Sequence, residues 1–257
     1  MNRLLLAVSI CLLTSSLAPA AETDRLPGYV MRAAADPIRK ADVNLDERRK
    51  GPEIAAFAGI KAGDQILELI PGSGYFTRLF SGIVGRKGHV YAVWPEPYAR
   101  MAQRDTDALR LLSTRDDYAN ISVDIQPAAK LSAPRKVDMV FTSQNYHDYP
   151  DRFMGPTDPA VLDREAFAVL KPGGVFIVID HVAPAGSGLS DTETLHRIDP
   201  AIVKKQVLAA GFQFVGESDV LRNPADPHTK KVFDPSIRGH TDQFVFKFRK
   251  PGSGRHG

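Results

Sequence analysis

The stretch ILELIPGSGYFTRLF, residues 66–80, constrains this chain more than any other. A short apolar run is followed at once by a glycine turn, and the turn opens into a segment with helical spacing. That order is a strand delivered into a tight turn at a helix start. Small residues there let backbone approach a ligand, and the first turn of the helix leaves N–H groups free. Strand and helix patterns then alternate. Strands are expected at 65–69, 89–94, 121–125, 137–142 and 175–180, with helices at 75–84, 97–112, 158–170 and 199–210. Such alternation requires a parallel α/β sheet covered on both faces. Two further strands, 212–220 and 243–248, follow the last helix with no helix between them, so they are expected to pair antiparallel.

The first residues do not belong to this pattern. Met1-Asn2-Arg3 is a basic start, 4–13 is an apolar run, and Ala18-Pro19-Ala20 places small residues before Ala21. The run is shorter than the roughly 20 residues a spanning helix needs. It reads as a cleaved signal peptide, 1–20, of an exported, periplasmic protein without a stable membrane anchor. The single cysteine, Cys11, lies inside it. A mature chain without cysteine has no disulfide, thiol nucleophile or thiolate metal site.

A formal charge of +3 is too small for a nucleic-acid footprint, and the basic runs Arg48-Arg49-Lys50 and Lys230-Lys231 are too short for one. The seven histidines show no ligand spacing, so no metal is expected. Residues 21–60 form a helix-prone lead and cap, with Pro52 opening a short amphipathic segment. The stretch 221–241 is too long for a hairpin and is either a lid over the site, bringing His228, Lys230 or Arg238, or a solvated excursion.

In an open α/β sheet the ligand lies beyond the carboxyl ends of the strands. The candidates gathered by that rule are Pro71, Gly72, Ser73 and Gly74, then Glu96, then Ser143–Tyr149, then Asp180 and His181. A dinucleotide loop requires a third glycine and an acid ending the second strand. Thr77 and Trp94 stand there instead, so NAD is disfavoured.

With ILELIPGSGYFT, VYAVWPEP, VDMVFTSQNYHDY, LKPGGVFIVID and the terminal strand pair in this order, the chain resembles class I S-adenosylmethionine-dependent methyltransferases. PEIAAFAGIKAGD and the segment from 209 to 251 bring it close to a group of exported bacterial predicted methyltransferases. The resemblance implies a Rossmann-like, seven-stranded methyltransferase sheet over 61–251, ending in an antiparallel pair, with a flexible tail at 252–257. It implies S-adenosylmethionine as cofactor and a small-molecule methyl acceptor. Gly72, Ser73 and Gly74, stiffened by Pro71, would form the cofactor loop and Glu68 would organise it. Ile70 departs from the family glycine, and Glu96 would stand in for the ribose-binding acid displaced by Trp94.

On the acceptor side His147 is the candidate base, oriented by Asp148, or else a histidine tied to backbone. Asn145 and Tyr146 position an acceptor or cap a turn, and Asp180 and His181 face the substrate or close a loop. The alternative function is an exported, non-catalytic ligand-binding protein on a degenerate methyltransferase scaffold.

Overall fold

Residues 26–155 and 157–252 are described in a computed structural model of the chain. The expected leader, 1–20, and the end of the expected tail, 253–257, lie outside the described residues.

The elements run α1 (Gly28–Ala34), α2 (Val43–Arg49), α3 (Gly51–Ala58), β1 (Gln65–Leu69), α4 (Tyr75–Val84), β2 (His89–Pro95), α5 (Glu96–Met101), α6 (Gln103–Ser113), β3 (Ile121–Gln126), β4 (Val137–Ser143), α7 (Pro159–Val169), β5 (Leu170–His181), α8 (Thr192–Leu195), α9 (Pro200–Ala209), β6 (Gln213–Ser218) and β7 (Gln243–Arg249). The strands form one seven-stranded sheet in the order β3-β2-β1-β4-β5-β7-β6. The first five are parallel, and β7 runs antiparallel between β5 and β6. This is the expected α/β sheet with its terminal antiparallel pair. The strand order reverses at β1, whose neighbours are β2 and β4, and this puts the ligand crevice at their carboxyl ends.

Side-chain alternation builds a core on each face. Leu67, Val93, Val140 and Val178 point to the side covered by α5, α6, α7 and α9. Ile66, Val90, Phe141 and Ile177 point to the side covered by α1, α3 and α4. Local chemistry sets the helix starts. The carboxylates of Asp158 and Asp199 accept from the backbone N–H of Ala160 and Ala201 at 2.9 Å, each ahead of a proline in the first turn.

Two boundaries differ from expectation. The helix expected over 97–112 is two helices broken at Ala102 (φ −104°, ψ 32°). The fifth strand begins at Leu170, since the Lys-Pro-Gly-Gly turn continues the sheet edge through a bulge opposite Val137 and Met139. The sixth strand has only an antiparallel neighbour, yet it runs in the same sense as β5, so its end still opens on the rim.

The lead is fastened to the sheet by charge. Arg39 pairs with Asp46 at 2.9 Å, the Tyr75 hydroxyl donates to Asp46 at 2.6 Å, and Arg78 grips Asp42 through two contacts of 2.6 Å. This fixes α2 beside α4 and holds Arg48 and Arg49 at the rim. No described helix is long and apolar enough to cross a membrane.

Candidate active site

The loop after β1 is shaped by left-handed residues. Ile70 has φ 48°, its N–H still bonded to the Val93 carbonyl at 2.9 Å, while Gly72 and Gly74 have φ 56° and 81°. The two glycines serve different ends. A Cβ on Gly74 would meet the Leu109 δ2 carbon at 2.5 Å, so Gly74 permits packing at the start of α4. A Cβ on Gly72 would project into open space, so the backbone there is accessible. Pro71 is half-buried, and Ser73 is exposed and accepts from Arg78 through its carbonyl.

Glu68 lies below this loop, 2% exposed. Burial pushes its carboxyl up to about 8, and the adjacent Thr77 hydroxyl, Arg49 and Arg78 offset that only in part. Its Oε2 and the Thr77 hydroxyl are buried without a partner. In the unfolded chain this acid ionises near 4.5, so the cost of burying it grows as pH rises from 4.5 and is complete above about 8. The stability of Glu68→Gln relative to wild type is therefore expected to improve by roughly 3–5 kcal/mol across that interval, read from urea denaturation at each pH.

The second strand brings no acid to the crevice. Trp94 is fully buried with its indole N–H unpartnered, and it packs against Tyr98 at 5.9 Å. Glu96 is the exposed first residue of α5, and its side chain makes no hydrogen bond among the described residues. Asn145 ties the loops together, donating to the carbonyls of Ile70 at 3.1 Å and Ser143 at 2.6 Å. Tyr146 turns the other way and donates to Asp163 at 2.9 Å beneath α7.

His147, Asp148, Asp180 and His181 are brought together. Asp180 is fully buried and accepts three N–H groups: the His147 backbone at 2.8 Å, the His147 ring Nδ1 at 2.8 Å and the His181 backbone at 2.7 Å. The His147 Nε2 faces Asp148 at 3.3 Å. Burial drives the His147 ring toward neutrality, but Asp180 and Asp148 more than offset it and raise the ring to about 9. His147 is thus an imidazolium paired with the Asp180 carboxylate, with Asp148, raised by burial to about 7, on its other side. The ring of His181 is the opposite case. Burial lowers it to about 3, and its Nδ1 meets the Thr241 hydroxyl at 2.7 Å. Donor atoms of His147, Asp148 and His196 lie within 4.8 Å of one another, and these are the side chains that a metal ion would find. The sequence hides that meeting, because His196 comes from a different connection.

Beyond the rim lies a cavity of about 160 Å³. Its polar end is made by Ser143, Gln144, His181 and Gln243, and its wall by Phe76, two residues into α4 from the glycine loop. Gln144 donates to Gln243 at 2.9 Å across the strand ends. The stretch 221–241 packs over this cavity. The fully buried Arg197 grips Asp226 at 2.9 Å, and Asp242 receives Arg222 at 2.8 Å and His228 at 2.9 Å. His228 and Lys230 face this internal network and Ser236, whereas Arg238 lines the cavity. Of the residues expected at the rim, Ser143, Gln144 and His181 line it, with Arg238 from the expected lid; Asn145, Tyr146, His147, Asp148 and Asp180 do not. Arg48, Arg49, Thr241 and Gln243 were missed, although the Arg48-Arg49 run was visible as charge.

No family model matches the chain. It is 29% identical over 194 residues to the ubiquinone/menaquinone biosynthesis C-methyltransferase UbiE of Vibrio cholerae, which covers 74% of this chain and 63% of the relative. The chain therefore spans less than two thirds of that relative's length. A SAM-dependent methyltransferase from Aquifex aeolicus superposes with a TM-score of 0.57 at 18% identity, covering 86% of this chain and 97% of the other. The cyclase SpnF superposes with a TM-score of 0.58 at 16% identity, covering 80% and 82%. The fold is that of the class I methyltransferases.

Proposed function

We propose that the chain transfers a methyl group from S-adenosylmethionine to a small molecule held in the rim cavity. The observation that carries this is continuity. The open backbone at Gly72 leads through the first turn of α4 to Phe76, which already walls the cavity. The sequence similarity to UbiE supports the same reading.

The residues present suit the methionine end of the cofactor, where Gly72 leaves room and the first N–H groups of α4 are unpaired. At the ribose end Glu96 would replace the usual acid, reaching from the first turn of α5. When bound, the cofactor supplies an electrophilic methyl on a sulfonium, and the protein's part is alignment and exclusion of water. Asn145 locks the two loops that border this position. His181, neutral and held by Thr241, offers a hydrogen bond to the acceptor atom, while the His147–Asp180 pair fixes the backbone that presents it. The 221–241 cover shields the reacting groups. We infer a periplasmic location from the reading of 1–20 as a cleaved leader, and a native N-terminus at Ala21 is the result expected from sequencing the purified protein.

Calorimetric titration with S-adenosylmethionine and S-adenosylhomocysteine tests the reading. Micromolar binding is expected for wild type and for Arg86→Gln, in the turn that follows α4. Gly72→Val, verified as folded by its melting transition, is expected to abolish it. Absence of binding to wild type at millimolar ligand refutes the methyl-transfer reading.

A further inference from the structure

Among the described residues the shielded arginines fall into two groups. Arg39, Arg78 and Arg197 each hold a carboxylate, at 2.9, 2.6 and 2.9 Å. Arg49 does not. It is half-buried, its Nε is buried without a partner, and it forms no ion pair among the described residues. Its guanidinium lies over the rings of Tyr75 at 4.9 Å and Phe76 at 5.1 Å, which fixes its plane. It lines the rim cavity together with Arg48 and Arg238, which also lack ion pairs among the described residues, and no carboxylate lines that cavity. Of the two buried acids that act on Arg49, Asp42 is taken by Arg78 and Glu68 is kept largely protonated near neutral pH by burial.

A guanidinium withdrawn from water without an anion is costly, and the cost is recovered when an anion enters. The planar fork of arginine suits a carboxylate or a phosphate in particular. The remaining wall is apolar, with Phe76, Leu221, Val232 and Phe233, and the neutral amides of Gln144 and Gln243 close the far side. We propose that this cavity binds a compact organic anion, its acidic group on Arg49 with Arg48 and Arg238 and its apolar body against Phe76 and Phe233. That this anion is also the methyl acceptor rests on the reading given under Proposed function.

The test is calorimetric titration of the full chain with three probes of one shape: benzoate, phenyl phosphate and the neutral benzyl alcohol. At least one anion is expected to bind about tenfold or more tightly than benzyl alcohol. The tighter anion tells a carboxylate ligand from a phosphate monoester. Arg49→Gln is expected to remove about tenfold of that affinity and Arg49→Lys to restore part of it, since a lysine keeps the charge but not the fork. Arg238→Gln, at an exposed position, gives a second loss that misfolding does not explain, and Arg86→Gln gives none. Equal affinity for all three probes, or no change in Arg49→Gln and Arg238→Gln, overturns the proposal. The cofactor titration is read separately. Cofactor binding without anion preference refutes the anion site alone, and anion preference without cofactor binding refutes methyl transfer alone.

Discussion

Replacing Asp180 with asparagine is expected to destabilise the fold by about 3–5 kcal/mol, measured by urea denaturation near pH 6. The side chain is fully buried and receives three N–H donors, two on Oδ1 and one on Oδ2. An asparagine can present only one acceptor oxygen, so its own NH₂ must face a donor. The His147 cation is left beside Asp148 at 3.3 Å, whose carboxyl burial raises to about 7, so near pH 6 it is largely protonated and replaces little of the lost charge. The pH dependence makes the loss specific. The His147 ring stands at about 9 in the fold against 6.5 unfolded, so its contribution is full below 6.5 and disappears as pH rises through 9. That contribution amounts to roughly 3 kcal/mol. The Asp180 carboxyl is moved the other way: burial raises it, but the His147 ion pair and hydrogen bonds hold it below its ordinary value. Its contribution is present above the unfolded carboxylate range and fades as pH falls through that range. The gap between wild type and Asp180→Asn is therefore expected to be widest between about pH 4 and 6.5 and to close on either side. A gap that stays constant with pH shows that the pair is not ionic.

Much of this architecture is legible in the chain because local chemistry dictates it. The runs VYAVW and VFIVID are too apolar for any place but the middle of a sheet, and Asp158-Pro159 and Asp199-Pro200 announce helices by their own capping bonds. The loop Pro71–Gly74 is legible because left-handed backbone at Gly72 and Gly74 favours glycine. Ile70 shows the limit of that rule: it takes φ 48° because its N–H is claimed by Val93 and its carbonyl by Asn145, partners supplied by β2 and the end of β4. The break at Ala102 has no glycine or proline at the break itself, and sequence periodicity runs straight through it. The site was legible by strand end but not by contact. The strand-end rule finds His147 and Asp180, yet nothing in their spacing says that one is the counter-ion of the other. Arg48 and Arg49 were visible as a basic run, but only the Arg39–Asp46 and Arg78–Asp42 pairs, which seat α2, bring that run to the rim.

Arg197→Met is expected to have an effect of similar size, about 3–5 kcal/mol, and to release the cover of the cavity. The guanidinium is fully buried and uses every edge: Nη1 and Nη2 on Asp226, Nη1 also on the Val182 carbonyl and Nε on the Lys230 carbonyl. Asp226 in turn receives the backbone N–H of Asp242 at 2.7 Å, and Asp242 anchors Arg222, His228 and Asn223. One arginine thus ties the end of β5 to both ends of the 221–241 stretch. Methionine keeps much of the volume but leaves Asp226 buried without its cation, which is the costly half of breaking such a pair. Lys230, Lys231 and Arg238 lie in the released segment, so trypsin is expected to cut there in the variant under conditions that spare wild type. Adding Asp226→Asn to Arg197→Met removes the stranded charge, and the double variant is expected to be more stable than Arg197→Met alone. The double variant regains stability without regaining the clamp, so its cover stays open to trypsin. If stability and trypsin resistance return together, the cover is held by packing of Val232 and Ile237 rather than by the arginine.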